Sequence, residues 1–377
     1  MSRLGDIGGH GARLAVFLVC LELAARIDDA VKYGAPLFSR YDYETLLDRD
    51  EEGIPHNVPR ARFEKWKINS LGFRGEEIPM PKAPGDLRIV CVGQSESFGL
   101  NEREGGEWPA LLARMLGAVR PGVRIVNASV VGTGRRSREA YLEKYVSPLQ
   151  PDVILLLTNP YNEAGAALQV AEGPGTRPPT VGGGAAQLRI VRKLRLRLAE
   201  MLPERAVVAA RSWRRRSRVR ELERTTLAGH PALDVLPEGA VASFEEHLRR
   251  VVRRVQGMGA LPVVATYPTL VDSSNLARYR SHLENERVWN VRLSERGLID
   301  AAGKLNAASR RVAEDLAVPL FDAAAAVPRT TEFFADGVHY TDAGAERVAA
   351  AAYETLDRAG ALGEPGPTAL REPISER

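Results

Sequence analysis

The chain has 377 residues, of which 44% are apolar and 27% charged, with a formal charge of +4 at pH 7. That apolar fraction excludes a wholly disordered chain and allows a large core, in one extended α/β domain or in roughly two to three average ones. The basic balance comes mostly from arginine. No zinc-finger spacing, RRM signature or clear helix-turn-helix accompanies it, so no nucleic-acid partner is expected.

Arg3, His10 and Arg13 precede an apolar stretch at 14–21, which continues past Glu22 to Ala25. The run is shorter than the about 20 residues that a full membrane span requires. No clean A-x-A cleavage site follows it. Residues 1–30 therefore read as an uncleaved signal anchor, a cleaved signal peptide or an ordinary amphipathic helix. The basic flank favours the anchor, with membrane attachment through residues 14–27 and the rest of the chain outside the cytoplasm, periplasmic or extracellular. Cys20 and Cys91 both sit in apolar runs without partners at metal-site spacing, and two buried thiols are expected.

Residues 31–85 carry many Pro, Gly, Asp and Arg and read as a loop-rich lead-in that wraps the domain, with Pro79, Pro81 and Pro84 as punctuation. Residues 87–93 form a strand ending at Gly93. Residues 108–116 put Trp108, Leu111, Leu112, Met115 and Leu116 on one helical face. A second strand covers 123–127, and a helix covers 137–146 with Ser137 as its N-cap. The third strand, 151–157, is apolar for most of its length, as the buried centre of a parallel sheet requires. The pattern resumes with a strand at 261–266, a helix at 299–316, a short strand at 318–321, and a last helix at 341–358 capped by Thr341. Alternation of strand and helix implies a doubly wound, mostly parallel five-stranded sheet.

An insertion at 164–245 separates the third and fourth strands. It opens with the Gly- and Pro-rich stretch at 173–184 and continues with basic helical segments at 189–201 and 211–224, including Arg214, Arg215 and Arg216. Two readings stand: a basic cap facing a membrane surface or polyanion, and a solvated helix face, which is the commoner fate of charge runs. The tail at 361–377 is expected to fray.

In such a sheet, catalytic groups gather at the C-terminal strand ends. The first strand ends in Gly93-Gln-Ser-Glu-Ser-Phe-Gly99, where glycines allow a sharp turn that leaves a hydroxyl exposed. It is not the G-x-S-x-G elbow, since Ser97 stands where that motif has its second glycine. The second strand ends in Asn127-Ala-Ser-Val-Val-Gly-Thr-Gly134, where Gly132 can offer an unobstructed N–H. The third runs into Thr158-Asn-Pro-Tyr-Asn-Glu163, where an asparagine can donate its side-chain amide. Before the last helix stands Asp336-Gly-Val-His-Tyr-Thr-Asp-Ala-Gly344. An aspartate three residues before a histidine can accept from one imidazole nitrogen and leave the other to take a serine proton.

These blocks resemble the SGNH/GDSL hydrolase superfamily, in this order along the chain, over about residues 87–356 apart from the insertion. The segment Asn69-Ser-Leu-Gly-Phe-Arg-Gly75 is also similar to one found ahead of the catalytic block in envelope-anchored bacterial members. The resemblance implies a three-layer α/β/α sandwich of flavodoxin-like type over residues 86–360. It implies Ser95 as nucleophile, Asp336 and His339 as its partners, Gly132 and Asn162 as oxyanion donors, and no metal or organic cofactor. Three departures stand out: Gln94 for the usual aspartate, Pro160 for glycine and Glu163 for aspartate. Pro160 leaves Asn159 as an alternative donor to Asn162. The implied activity is removal of an acyl group, such as acetyl, from a small-molecule, carbohydrate or envelope-polysaccharide ester. An O-acyltransferase with the same triad and a non-catalytic polysaccharide-binding or assembly subunit are the alternatives.

Overall fold

In the computed structural model, which describes residues 3–171 and 188–362, the chain opens with helix α1 (Arg3–Tyr33). Every described residue from 12 to 20 of this helix is exposed, so Cys20 is an exposed thiol and not the buried one the sequence suggested. Among the described residues, no helix is long and apolar enough to cross a membrane. The other half of α1 is held to the body by charge: Asp29, fully buried, meets Arg192 at 3.0 Å and Lys193 at 2.7 Å.

The lead-in is more ordered than its composition suggested. It forms two small antiparallel ribbons, β1 (Leu47–Arg49) with β2 (Pro55–Asn57), and β3 (Arg62–Phe63) with β4 (Trp66–Lys67). Its last segment touches the main sheet through an antiparallel bridge between Arg74 and Asn127.

The main sheet starts with β5 (Leu87–Val92), which runs into a short helical turn, α2 (Ser95–Phe98), and then α3 (Trp108–Val119). Next come β6 (Val123–Asn127), α4 (Arg135–Tyr141), β7 (Val153–Leu156) and α5 (Pro160–Ala171). Beyond the undescribed stretch, α6 (Arg189–Met201) and α7 (Glu204–Thr226) make up the basic insertion. Helix α8 (Glu238–Gly257) leads back into β8 (Leu261–Ala265). The remainder is α9 (Leu276–Tyr279), α10 (Glu284–Trp289), α11 (Glu295–Asp315), β9 (Leu320–Phe321), α12 (Ala323–Ala326) and α13 (Asp342–Arg358).

The five long-range strands pair in parallel throughout, in the order β6-β5-β7-β8-β9. This is the flavodoxin-like order, in which the winding reverses beside the first strand and opens a crevice at the carboxyl ends. Helices cover both faces, so β7 is buried along its whole length, which explains its uninterrupted apolar run.

Several boundaries differ from the sequence reading. The fourth helix begins at Arg135, and Ser137 lies inside it, its hydroxyl donating back to the Gly134 carbonyl at 3.2 Å, so it is not the N-cap. Helix α11 begins at Glu295, where Ser294 accepts from the Gly297 amide at 3.1 Å. Thr341 does cap α13, accepting from the Gly344 amide at 3.2 Å. The insertion is narrower than 164–245, because α5 extends to Ala171 and α8 belongs to the layer packed on the sheet. The Gly-rich stretch 173–184 and the tail beyond 362 lie outside the described residues.

Candidate active site

The turn after β5 exposes one serine and buries the other. Gly93 is required by close approach: a Cβ there would lie 2.2 Å from Ser97 Oγ, so any side chain would push the turn open. Ser97 is fully buried, its hydroxyl accepting from Trp108 Nε1 at 3.0 Å and its carbonyl from Asn127 Nδ2 at 2.7 Å. Ser95, two residues earlier, is the one half-exposed position between Gly93 and Gly99. Its amide opens the helical turn, where an N–H has no intrahelical acceptor.

The loop before α13 reaches this serine. His339 Nε2 lies 2.8 Å from Ser95 Oγ, and His339 Nδ1 lies 2.8 Å from Asp336 Oδ2 and 3.0 Å from Oδ1. The Asp336 carboxylate also accepts from the backbone amides of Val338 at 3.0 Å and His339 at 2.9 Å, which fixes the turn between the two side chains. Burial raises the Asp336 pKa, but the His339 imidazole and these two amides outweigh it, and the carboxyl stays below its usual range. Burial lowers the His339 pKa, yet the hydrogen bond and charge of Asp336, with the charges of Glu286 and Glu96, leave it raised to about 9. A serine hydroxyl, a basic imidazole nitrogen and an orienting carboxylate stand in one line, with the geometry that proton transfer off a nucleophile needs.

Two more strand ends converge on the serine side. Gly132 follows β6 with φ of 71°, a conformation that strains any residue with a Cβ, and its surroundings are open. Asn162 and Asn159 separate clearly. Asn159 is buried, its Oδ1 accepts from the Tyr161 amide at 2.9 Å, and its Nδ2 faces Tyr267 Oη at 3.4 Å. Asn162 is half-buried, and its Nδ2 donates to Gln94 Oε1. The Gln94 amide therefore has two partners: it accepts from Asn162 and donates through Nε2 to the Thr133 carbonyl at 2.7 Å. A carboxylate could accept from Asn162 but could not donate to Thr133, which gives the glutamine a physical reason to stand where an aspartate was expected.

Several site neighbours escaped the sequence reading. Arg74, in the Asn69–Gly75 segment, is buried behind the turn that carries Ser95; it donates to the Phe98 carbonyl at 3.2 Å and the Lys65 carbonyl at 3.3 Å and faces Glu107 at 3.5 Å. The motif was visible in the sequence, but its contact with the turn was not. Three buried acids, Glu96, Glu102 and Glu286, act on the imidazole through their charge and carry no local sequence signal. Burial raises the pKa of Glu102 to about 7, against backbone hydrogen bonds from Glu102 and Asn101 and the charges of His339 and Lys65, which pull the other way. Among the described residues, no group of acids, histidines or cysteines could hold a metal ion.

No protein-family model and no curated protein matches the sequence. Among solved structures, LAE5, an alpha/beta hydrolase enzyme from the metagenome of Lake Arreo, Spain, is 17% identical, covering 75% of this chain and 98% of its own at a TM-score of 0.43. Axe2, an acetylxylan esterase from Geobacillus stearothermophilus, is 14% identical, covering 74% and 96% at a TM-score of 0.43. TesA is 14% identical, covering 72% and 98% at a TM-score of 0.41. At such scores these likenesses carry no argument about the chemistry of this chain.

Proposed function

We propose that this chain is a serine-dependent ester hydrolase of the SGNH/GDSL type. The observation that carries the reading is the pair of hydrogen bonds joining Ser95 Oγ to His339 Nε2 at 2.8 Å and His339 Nδ1 to Asp336 Oδ2 at 2.8 Å. In the first step His339 takes the hydroxyl proton as Ser95 Oγ bonds to the ester carbonyl carbon. The Ser95 amide, the Gly132 amide and the Asn162 side chain face the developing oxyanion. The imidazolium then gives its proton to the departing alkoxide, leaving an acyl-serine and a free alcohol. Water attacks the acyl-serine by the same route, with His339 as base, and releases the acid. Asp336 keeps the imidazole tautomer and stabilises the positive ring without taking the proton.

The substrate class, an acyl ester such as an acetyl group on a carbohydrate or envelope component, follows the sequence resemblance. An O-acyltransferase would share every step up to the acyl-serine and differ in the hydroxyl that takes the acyl group.

The test is labelling by a fluorophosphonate, comparing the unaltered chain with Ser95→Ala and Ser97→Ala, beside hydrolysis of p-nitrophenyl acetate and a longer acyl ester. Labelling lost in Ser95→Ala and kept in Ser97→Ala, with kcat falling by about 10³ or more in the former, is the expected result. A folded chain that neither labels nor hydrolyses would instead favour a non-catalytic subunit.

A further inference from the structure

Beneath the Asp336–His339 turn lies a carboxylate that the three-residue reading leaves unused. Glu286 is the third residue of α10 and is 4% exposed. Its helix is pressed against the turn at Gly337. A Cβ at Gly337 would lie 2.8 Å from the carbonyl oxygen of His282, in the turn that leads into α10, and 3.7 Å from Glu286 Cγ, so glycine lets the start of this segment approach closely and leaves Glu286 in van der Waals contact with the turn. On its other sides α10 is braced rather than free. Ser212 and Arg216 of α7 bond to Glu284, and Arg287 bonds to Glu223 of α7. Helix α5 closes the third side, where a Cβ at Gly165 would meet Asn290 Oδ1 at 2.6 Å. The Glu286 carboxylate takes a long 3.4 Å bond from Asn285 Nδ2.

Among the described residues, several titratable groups act on Glu286 electrostatically. Asp336 and His339 lie on the catalytic turn, Arg215 on α7, Tyr161 on α5 and Tyr267 after β8. His339 in turn faces Asp336, Glu286, Glu96 and Glu102. We propose that Glu286 is a positioning residue for the triad, a second buried carboxylate that α10 holds against the Asp336–Gly337 turn so that its charge backs the His339 imidazolium. This inference rests on the serine-esterase reading. No proton passes to Glu286: the serine proton goes to His339 Nε2, and Glu286 acts only through its charge and its packing on the turn.

The consequence concerns pH. Burial raises the Glu286 pKa, Asp336 raises it further, and it reaches about 7. Glu286 is therefore ionised in the alkaline range where His339 titrates. There its charge favours the imidazolium and makes the ring a stronger base, at the expense of its neutral fraction near pH 7. The insertion gains a role as well, since α7 is one of the supports that keep α10 in place.

The experiment follows His339 directly, by NMR titration of its imidazole in the full chain, for the unaltered protein, Glu286→Gln and Glu286→Asp. Removing a carboxylate whose charge favours the imidazolium lowers the histidine pKa, so the His339 value in Glu286→Gln is expected to drop by about one unit. Glu286→Asp keeps the charge one methylene further back and is expected to drop less. The acid limb of kcat/KM against pH should move with the NMR values, which a role confined to packing would not produce. If the His339 titration stays within about 0.3 unit in Glu286→Gln, the proposal is overturned. Should the glutamine variant not fold, Glu286→Met, equally without charge, decides by the same criterion. The NMR titration needs no turnover, so an unaltered protein inert toward esters would count against the esterase reading and leave this coupling to be judged separately.

Discussion

Arg74→Met is the substitution from which the most can be learned about how the lead-in supports the nucleophile. Arg74 and Glu107 have side chains only 3% and 5% exposed, 3.5 Å apart, and the guanidinium also donates to the Phe98 and Lys65 carbonyls. Methionine keeps most of the stem volume, so the change removes charge and donors more than it opens a cavity. It leaves the Glu107 carboxylate buried without its ion-pair partner, which typically costs about 3–5 kcal/mol. Replacing Glu107 by leucine in the same chain removes that orphan charge. The double variant then retains mainly the penalty of two carbonyls without donors, about 1 kcal/mol each. Urea unfolding at 25 °C of the two single variants and the double completes the cycle. The expected signature is a double variant more stable than Arg74→Met alone, with a coupling of about 2–3 kcal/mol. Single losses that simply add, or an Arg74→Met loss below about 1 kcal/mol, would refute the view that this pair works as a buried unit. Because Phe98 closes the turn that begins at Ser95, kcat should fall along with stability.

The two asparagines near the third strand are expected to behave oppositely. Asn162→Ala should lower kcat by about 10²–10³ with little change in melting temperature. Asn159→Ala should lower stability first, since its side chain is buried and bonded to the start of α5; equal kcat losses in both would sink the distinction. Glu102→Gln tests the electrostatics around the imidazole. In the native state this carboxyl holds its proton to about 7, while unfolded it lets go near 4.5, so ionisation from pH 4.5 to 7 destabilises the fold. The glutamine variant should therefore be the more stable protein at pH 8, by about 1–3 kcal/mol, with the gap closing by pH 5. An unchanged gap across that range in chemical denaturation would show that Glu102 ionises freely. Finally, removal of residues 1–21 deletes the exposed apolar stretch but keeps Glu22, Asp28 and Asp29, which tie α1 to α6. We expect the full chain to sediment with membranes and the shortened one to remain folded in the soluble fraction; identical partition of the two would remove residues 14–27 as an attachment segment.

The sequence by itself determined the alternating layers and the side chains that the site brings together. Apolar runs such as 89–92 and 153–156 carry their own signal, because a strand segment buried on both faces is mostly apolar. Ser95, Asp336 and His339, which the fold joins by hydrogen bonds, could be singled out because each stands at a strand end or loop with a short motif around it. Helix starts were less legible: Thr341 caps as expected, while Ser137 does not, because the helix begins at Arg135 with Gly134 at the cap, three residues earlier than a hydroxyl-based rule suggests. Tertiary structure alone decided that Asn159 is buried and bonded while Asn162 is half-buried beside Gln94, that Gln94 links two loops through both ends of its amide, and that Arg74 reaches the turn that carries Ser95. It also decided which acids are buried around His339. Glu286 lies fifty residues before Asp336 on a helix of ordinary charged composition, and only the close approach at Gly337 gives it a place beside the triad. Periodicity and local motifs record what each segment requires of its own neighbours. The burial of a charge, and hence its proton affinity, depends on chain brought in from elsewhere.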